Sequence, residues 1–99
     1  MEEHIYYNNL FDCYSDLLTE NEVDCFKSYY EEDLTLSEIA LNNNVSRAAI
    51  HKTVKNVLNK LEIYENSLHL YEIKNTLQES LSNNNVDDIH KIIEKLLDM

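Results

Sequence analysis

Residues 34–61 read Leu34-Thr-Leu-Ser-Glu-Ile-Ala-Leu-Asn-Asn-Asn-Val-Ser-Arg-Ala-Ala-Ile-His-Lys-Thr-Val-Lys-Asn-Val-Leu-Asn-Lys-Leu61, and this stretch decides the fold. Thr35-Leu36-Ser37-Glu38 has the spacing of a capping box, in which a threonine hydroxyl and a glutamate three residues on satisfy each other's free backbone N–H. A short helix therefore starts at Leu36 and ends near Asn42. Asn42-Asn43-Asn44 supplies a turn, with Asn44 suited to the left-handed backbone that glycine usually takes. Ser46 caps a second helix that opens Arg47-Ala48-Ala49-Ile50-His51-Lys52-Thr53-Val54-Lys55. Helix, tight turn and helix in this order is a helix-turn-helix.

The two helices cross steeply, so only a small residue fits where they touch, and Ala40 is that residue. Val45 is expected to plug the turn from beneath, while Ile50 and Val54 hold the second helix on the first. The opposite face carries Arg47, His51, Lys52, Lys55 and Asn59 at spacings that align side chains in one stripe. Ser46 and Ala48 adjoin it at the helix start, completing the candidate nucleic-acid contact set.

Charge sharpens this expectation. The chain has net charge -11, yet no Asp or Glu lies between Ile39 and Leu61, where four of its eight basic residues stand. Residues 1–38 carry -10 and residues 62–99 carry -5 against +4 in the window. Fields act within about 8 Å at physiological salt, so the local balance matters more than the total.

Working outward, the first helix is expected from about His4 to Leu18, with Tyr7, Leu10, Phe11, Tyr14, Leu17 and Leu18 on its apolar stripe. Thr19-Glu20-Asn21-Glu22 is a second capping box, so the next helix starts at Glu20. Val23, Phe26 and Tyr30 face inward from it, and Glu31-Glu32-Asp33 ends it by placing acids at the negative pole of the helix dipole. Beyond Ser46 there is no obvious stop. Val54, Val57, Leu61, Tyr64, Leu68 and Tyr71 advance by 3, 4, 3, 4 and 3, a coiled-coil rhythm, and Leu70, Ile73, Leu77 and Leu81 make a second stripe. A helix continuous to Leu81 would be roughly 54 Å long and would need something else to cover its far half. The last helix folding back, a second copy or another partner would serve; alternatively the helix breaks near Asn66-Ser67 and doubles back. Leu61, Tyr64, Leu68 and Tyr71 are accordingly the candidate contacts with a partner or a second copy in a homodimer through the long helix. Ser82-Asn83-Asn84-Asn85 reads as a loop, with Asn85 or Asp87 capping a final helix whose apolar face is Val86, Ile89, Ile93, Leu96 and Leu97.

With no Gly, no Pro, thirteen Asn and no hairpin signature, the fold class is all-α: a helix-turn-helix head of about four helices, a long C-terminal helix and a short terminal one. Residues 1–65 form the head and 66–99 a helical extension, together one compact unit. No apolar run approaches the ~20 residues that span a bilayer, and Glu2 and Glu3 are unlike a signal-peptide start, so a cytoplasmic protein without a membrane role is expected. Cys13 and Cys25 read as buried apolar groups; a redox switch would require them to meet. His4, His51, His69 and His90 lack metal-ligand companions, and a phosphate loop cannot form without glycine. No enzyme, cofactor or metal is expected, and His51 alone of the histidines reads as functional.

The chain resembles the YlxM-like family of small bacterial helix-turn-helix proteins, whose N-terminal part looks like the promoter-reading C-terminal region of sigma factors. Asn9-Leu10-Phe11-Asp12 with Tyr14, Leu18-Thr19, Tyr29-Tyr30 with Asp33, Leu36 to Ala40, Val45-Ser46-Arg47 with Ala49, Leu61-Glu62, Tyr64-Glu65 and Leu68-His69-Leu70 carry the likeness. His51 and Lys52 stand where an aromatic residue and an acid are usual, changes that favour an anion, while Asn56 stands where a basic residue is common and Asn43 replaces the usual apolar residue before the turn, changes that weaken basic charge and packing. The resemblance implies a regulatory or accessory role in the signal recognition particle pathway. Contact with DNA or RNA is one reading; a protein-interaction module that binds the particle's GTPase or another basic partner is the other.

Overall fold

The computed structural model describes residues 2–83 and 86–98. Among them are α1 (Glu2–Tyr14), α2 (Glu20–Tyr30), α3 (Leu36–Asn42), α4 (Arg47–Leu68), α5 (Leu70–Asn83) and α6 (Val86–Leu97), with a 3₁₀ turn at Ser15–Leu17 and no strand. The fold is all-α, with the helix-turn-helix formed by α3 and α4.

Both capping boxes are present. Thr19 accepts from the Glu22 N–H at 3.2 Å while the Glu22 carboxylate accepts from the Thr19 N–H at 2.9 Å. Thr35 and Glu38 make the same pair at 3.1 and 3.2 Å. The Ser46 hydroxyl accepts from the Ala49 N–H at 3.1 Å and starts α4. Without glycine, the reversals among the described residues fall to others: Asp33, Asn44 and His69 take φ of 56°, 54° and 57°. Asn44 answers the sequence expectation; Asp33 and His69 do not follow from it. The Asp33 reversal lets the Leu34 N–H reach back to the Ser28 carbonyl at 3.0 Å, so a local backbone turn terminates α2.

The core joins α1 through α4: Leu10, Phe11 and Tyr14, then Cys25, Phe26 and Tyr30, then Ile39 and Ala40, then Ile50, Val54, Val57 and Leu61. Phe11 stacks on Phe26 with ring centroids 4.2 Å apart. Cys13 is partly buried and Cys25 buried; both are free thiols, and burial pushes both thiols up from their ordinary value.

Two packing expectations fail. Leu17 is 53% exposed because the chain tightens to 3₁₀ geometry at Ser15, and three residues per turn carries it off the α-helical stripe. Val45 is 46% exposed and plugs nothing. The turn is closed by backbone instead: the Val45 N–H donates to the Ala40 carbonyl at 3.1 Å, and the Asn43 side-chain amide donates to the Ile39 carbonyl at 2.7 Å.

The helix after Ser46 breaks at His69, two residues beyond Ser67. Here Glu65, only 9% exposed, does the capping that no residue of α5 does. Its carboxylate accepts from the Tyr71 and Glu72 N–H groups at 3.1 Å each and from the Tyr14 hydroxyl at 2.6 Å. The Tyr14 oxygen in turn accepts from the Leu70 N–H at 3.0 Å. The first three N–H groups of α5, which no helical carbonyl can reach, are thereby satisfied from α4 and α1.

From there α6 returns antiparallel along α5, with Lys95 on Glu72 at 3.2 Å and Ile73 and Thr76 beside Ile92 and Leu96. Ser82 and Asn83 belong to α5 and not to a loop, since i to i-4 bonding continues through them. Asn84 and Asn85, with the expected Asn85 cap, lie outside the described residues. The radius of gyration is 17.1 Å, against about 13 Å for a compact chain of this length, because the hairpin projects from the head.

Glu65→Ala should cost about 2–3 kcal/mol in chemical denaturation, since it strands two helix-terminal donors and a buried hydroxyl. A loss below about 0.5 kcal/mol would show that the junction does not depend on this carboxylate. Burial, then the bond to Glu65, pushes the Tyr14 phenol from 10.0 to about 12. Burial pushes Tyr6 and Tyr30 to about 12 as well. A raised phenol stabilises the fold below pH 10 and withdraws that contribution as pH climbs through 12. The tyrosinate absorbance of these three rings should therefore appear together with loss of helical circular dichroism in that interval, and ionisation of all tyrosines near pH 10 with the helices intact would contradict the burial of these rings.

Candidate nucleic-acid interface

The face of α4 toward the core carries Ile50, Val54, Val57 and Leu61, all 6% exposed or less. The helical period then sends Arg47, His51, Lys52, Lys55 and Asn59 outward, and all five are exposed, as are Ser46 and Ala48 at the helix start. From Arg47 to Asn59 the stripe runs about 18 Å along the helix axis. Among the described residues none of Arg47, Lys52 and Lys55 enters an ion pair.

Lys60, the fourth cation of the window, is elsewhere. It lies off the stripe and grips the Glu22 carboxylate of α2 at 2.8 Å. Burial pushes the Glu22 carboxyl up, but bonds from Lys60 and from the Thr19 N–H outweigh it and hold the group below its ordinary 4.5. The same bond holds the Lys60 ammonium above its ordinary value. Sequence spacing cannot reveal this pair, because its members stand 38 residues apart.

Two concavities flank the stripe. One, of about 240 Å³, lies beneath the turn between Asp24, Cys25 and Ser28 of α2 and Val45, Ala49 and Thr53. A shallower cleft of about 370 Å³ lies at the α4 start between His4, Tyr29, Asp33, Thr35 and Arg47. Asp24 lines the first of these and Asp33 the second, which Arg47 shares.

The expected partner contacts fare differently. Leu61 is 0% exposed, so the core of its own chain has consumed it and no partner can touch it. Tyr64 and Tyr71 pack partly buried on that core; Tyr64 donates to the Leu17 carbonyl at 3.4 Å and the Tyr71 hydroxyl accepts from Asn9 at 3.4 Å. Only Leu68, 48% exposed, stays available. The apolar stripe of α4 is the inside of the head. Among the described residues no helix is long and apolar enough to cross a membrane, and no three His, Cys, Asp or Glu side chains are grouped to hold a metal ion.

Buried stripe, capped tight turn and outward basic stripe together define a helix-turn-helix protein. The family model described as "Putative helix-turn-helix protein, YlxM / p13 like" matches residues 1–98, and the chain belongs to this family, UPF0122. A UPF0122 protein of Fusobacterium nucleatum is 39% identical to it, with 98% of each chain covered. One from Malacoplasma penetrans is 42% identical over 80% of this chain and 77% of its own, and one from Clostridium acetobutylicum 39% identical over 99% and 84%.

The division of the four cations has a direct check. Lys60→Gln should raise the pH at which acid unfolds the chain. A carboxyl held below 4.5 stabilises the fold above that pH and loses its contribution as pH falls through its own value, and the substitution removes the bond that holds it down. Circular dichroism against pH reads the effect; an unchanged acid midpoint would show that the Lys60–Glu22 bond does not hold the carboxyl down.

Proposed function

We propose that this protein is a cytoplasmic regulatory protein that contacts DNA or RNA through the outward stripe of α4. One observation carries the reading: Arg47, Lys52 and Lys55 stand exposed and unpaired, among the described residues, on the face opposite the buried Ile50–Leu61 stripe of a capped helix-turn-helix. Phosphates meet the three cations, while His51 and Asn59 are placed to hydrogen-bond beside them. The α4 N-terminus adds its positive pole where Ser46 and Ala48 stand, the geometry that favours an anion. The strip serves orientation more than strength. Three neutralised phosphates give log K against log salt a slope near -2.7 for one head, doubled where two heads engage one duplex.

The family resemblance carries the proposal one step finer, to an accessory role in the signal recognition particle pathway. A second reading is supported by the charge outside the window, -10 over residues 1–38 and -5 over residues 62–99. That field attracts a basic protein, such as the particle's GTPase, with no nucleic acid involved.

The test is the triple variant Arg47→Ala, Lys52→Ala, Lys55→Ala in mobility shifts on duplex DNA and on RNA at low salt. Wild type should shift, weaken with the slope given above, and lose the shift in the variant with no change in thermal midpoint, since all three side chains are exposed. Equal binding by variant and wild type would overturn the reading. A wild type that binds no nucleic acid but holds a basic protein in a salt-sensitive complex favours the second.

A further inference from the structure

We infer that one side of the α5–α6 hairpin is an interface between two copies of this chain. The inference stands apart from the nucleic-acid reading. On α5, Ile73, Thr76 and Ser80 turn toward α6, and on α6, Ile92 and Leu96 turn toward α5. Counting about 100° per residue, Leu70, Leu77 and Leu81 lie a quarter-turn from that contact line. Val86, Ile89, Ile93 and Leu97 lie a quarter-turn from it on α6, and because the helices are antiparallel the two offsets fall on the same side. The other side carries Asn75, Gln78 and Glu79 with Lys91 and Glu94, and is polar.

The apolar side is uncovered. Leu81 and Leu97 are each 80% exposed, Val86 72%, Ile93 49%, Leu70 45% and Leu77 43%. Two helices make a single layer, which cannot shield both faces; a second layer must cover the apolar one.

A second copy fits this face better than a partner of opposite charge. No acid lies among its seven positions, so a basic partner drawn to the acidic chain finds nothing to pair with here, and Lys74, the cation at its edge between Leu70 and Leu77, lines a cleft with Asn9 and Asp12 of α1. Face to face about a two-fold axis, two hairpins make a four-helix bundle, each supplying the same patch. The exposed part of the seven side chains amounts to on the order of 700 Å² per copy, close to the ~800 Å² per partner of a standard stable interface.

Sedimentation equilibrium on the full chain across a micromolar dilution series tests this. Wild type should show twice the 11.7 kDa of one chain. Leu81→Asp with Leu97→Asp should give the single-chain mass, or weaken association at least tenfold, with unchanged helical circular dichroism because both side chains are already in water. Ile93→Asp, near the middle of the face, should do the same alone. Leu41→Asp, on α3 and 79% exposed, should stay a dimer. A wild type of single-chain mass throughout, a dimer that survives both hairpin variants, or one lost equally to Leu41→Asp would overturn the inference.

Discussion

A carboxylate held out of water at the meeting of three helices governs the shape of this molecule. Glu65 stands near the end of α4, yet its bonds go to the Tyr14 hydroxyl of α1 and to the first turn of α5. A buried charge is costly unless donors surround it, and here a hydroxyl and two helix-terminal N–H groups do so. The requirement works both ways. Those N–H groups have no helical carbonyl to reach, and a negative charge at a helix N-terminus is favoured by the dipole. One side chain therefore ends a helix, begins the next and fastens both to the N-terminal helix, while His69 takes the left-handed turn between them.

The C-terminal half follows from that turn. Had α4 continued straight, Leu68 and Tyr71 would have prolonged the seam that begins at Val54. With the break at His69, Tyr71 folds back against Tyr6, their ring centroids 5.9 Å apart, and α5 departs on a new axis. The aliphatic side chains beyond it are out of reach of the head's core, and α6 covers only the Ile73 side of α5. The uncovered face of the hairpin is thus a consequence of how the junction is capped.

What the sequence disclosed depended on how far apart the interacting residues stand. Thr19 with Glu22 and Thr35 with Glu38 are three residues apart, and the physics of a helix start is local, so both boundaries were readable to the residue. Asn44 was readable because a three-asparagine turn without glycine leaves few candidates for positive φ. Asp33 and His69 do the same work unannounced, the first in a backbone turn that bonds Leu34 to Ser28, the second at a junction fastened by Glu65 and Tyr14 from other helices. Periodicity told that Val54, Val57 and Leu61 form an apolar stripe but not what covers it, and the answer was the chain's own core. For the candidate site, the outward direction of Arg47, His51, Lys52, Lys55 and Asn59 followed from the inward direction of Ile50 and Val54. That Lys60 leaves the set did not follow, since Glu22 lies on another helix.

The loss of Lys60 to Glu22 changes where the positive field sits. With that pair neutralised, the remaining cations of the acid-free window fall within nine residues, from Arg47 to Lys55, at the N-terminal end of α4 where the helix dipole is also positive. Asp33 lies in the cleft that Arg47 lines, and Asp24 in the concavity beside Ala49 and Thr53. Screening over about 8 Å limits how far the acids elsewhere in the chain reach toward the strip. On the proposed reading, acidity elsewhere in the chain works against loose, unoriented adhesion to nucleic acid and leaves the α4 strip to set which way the head faces.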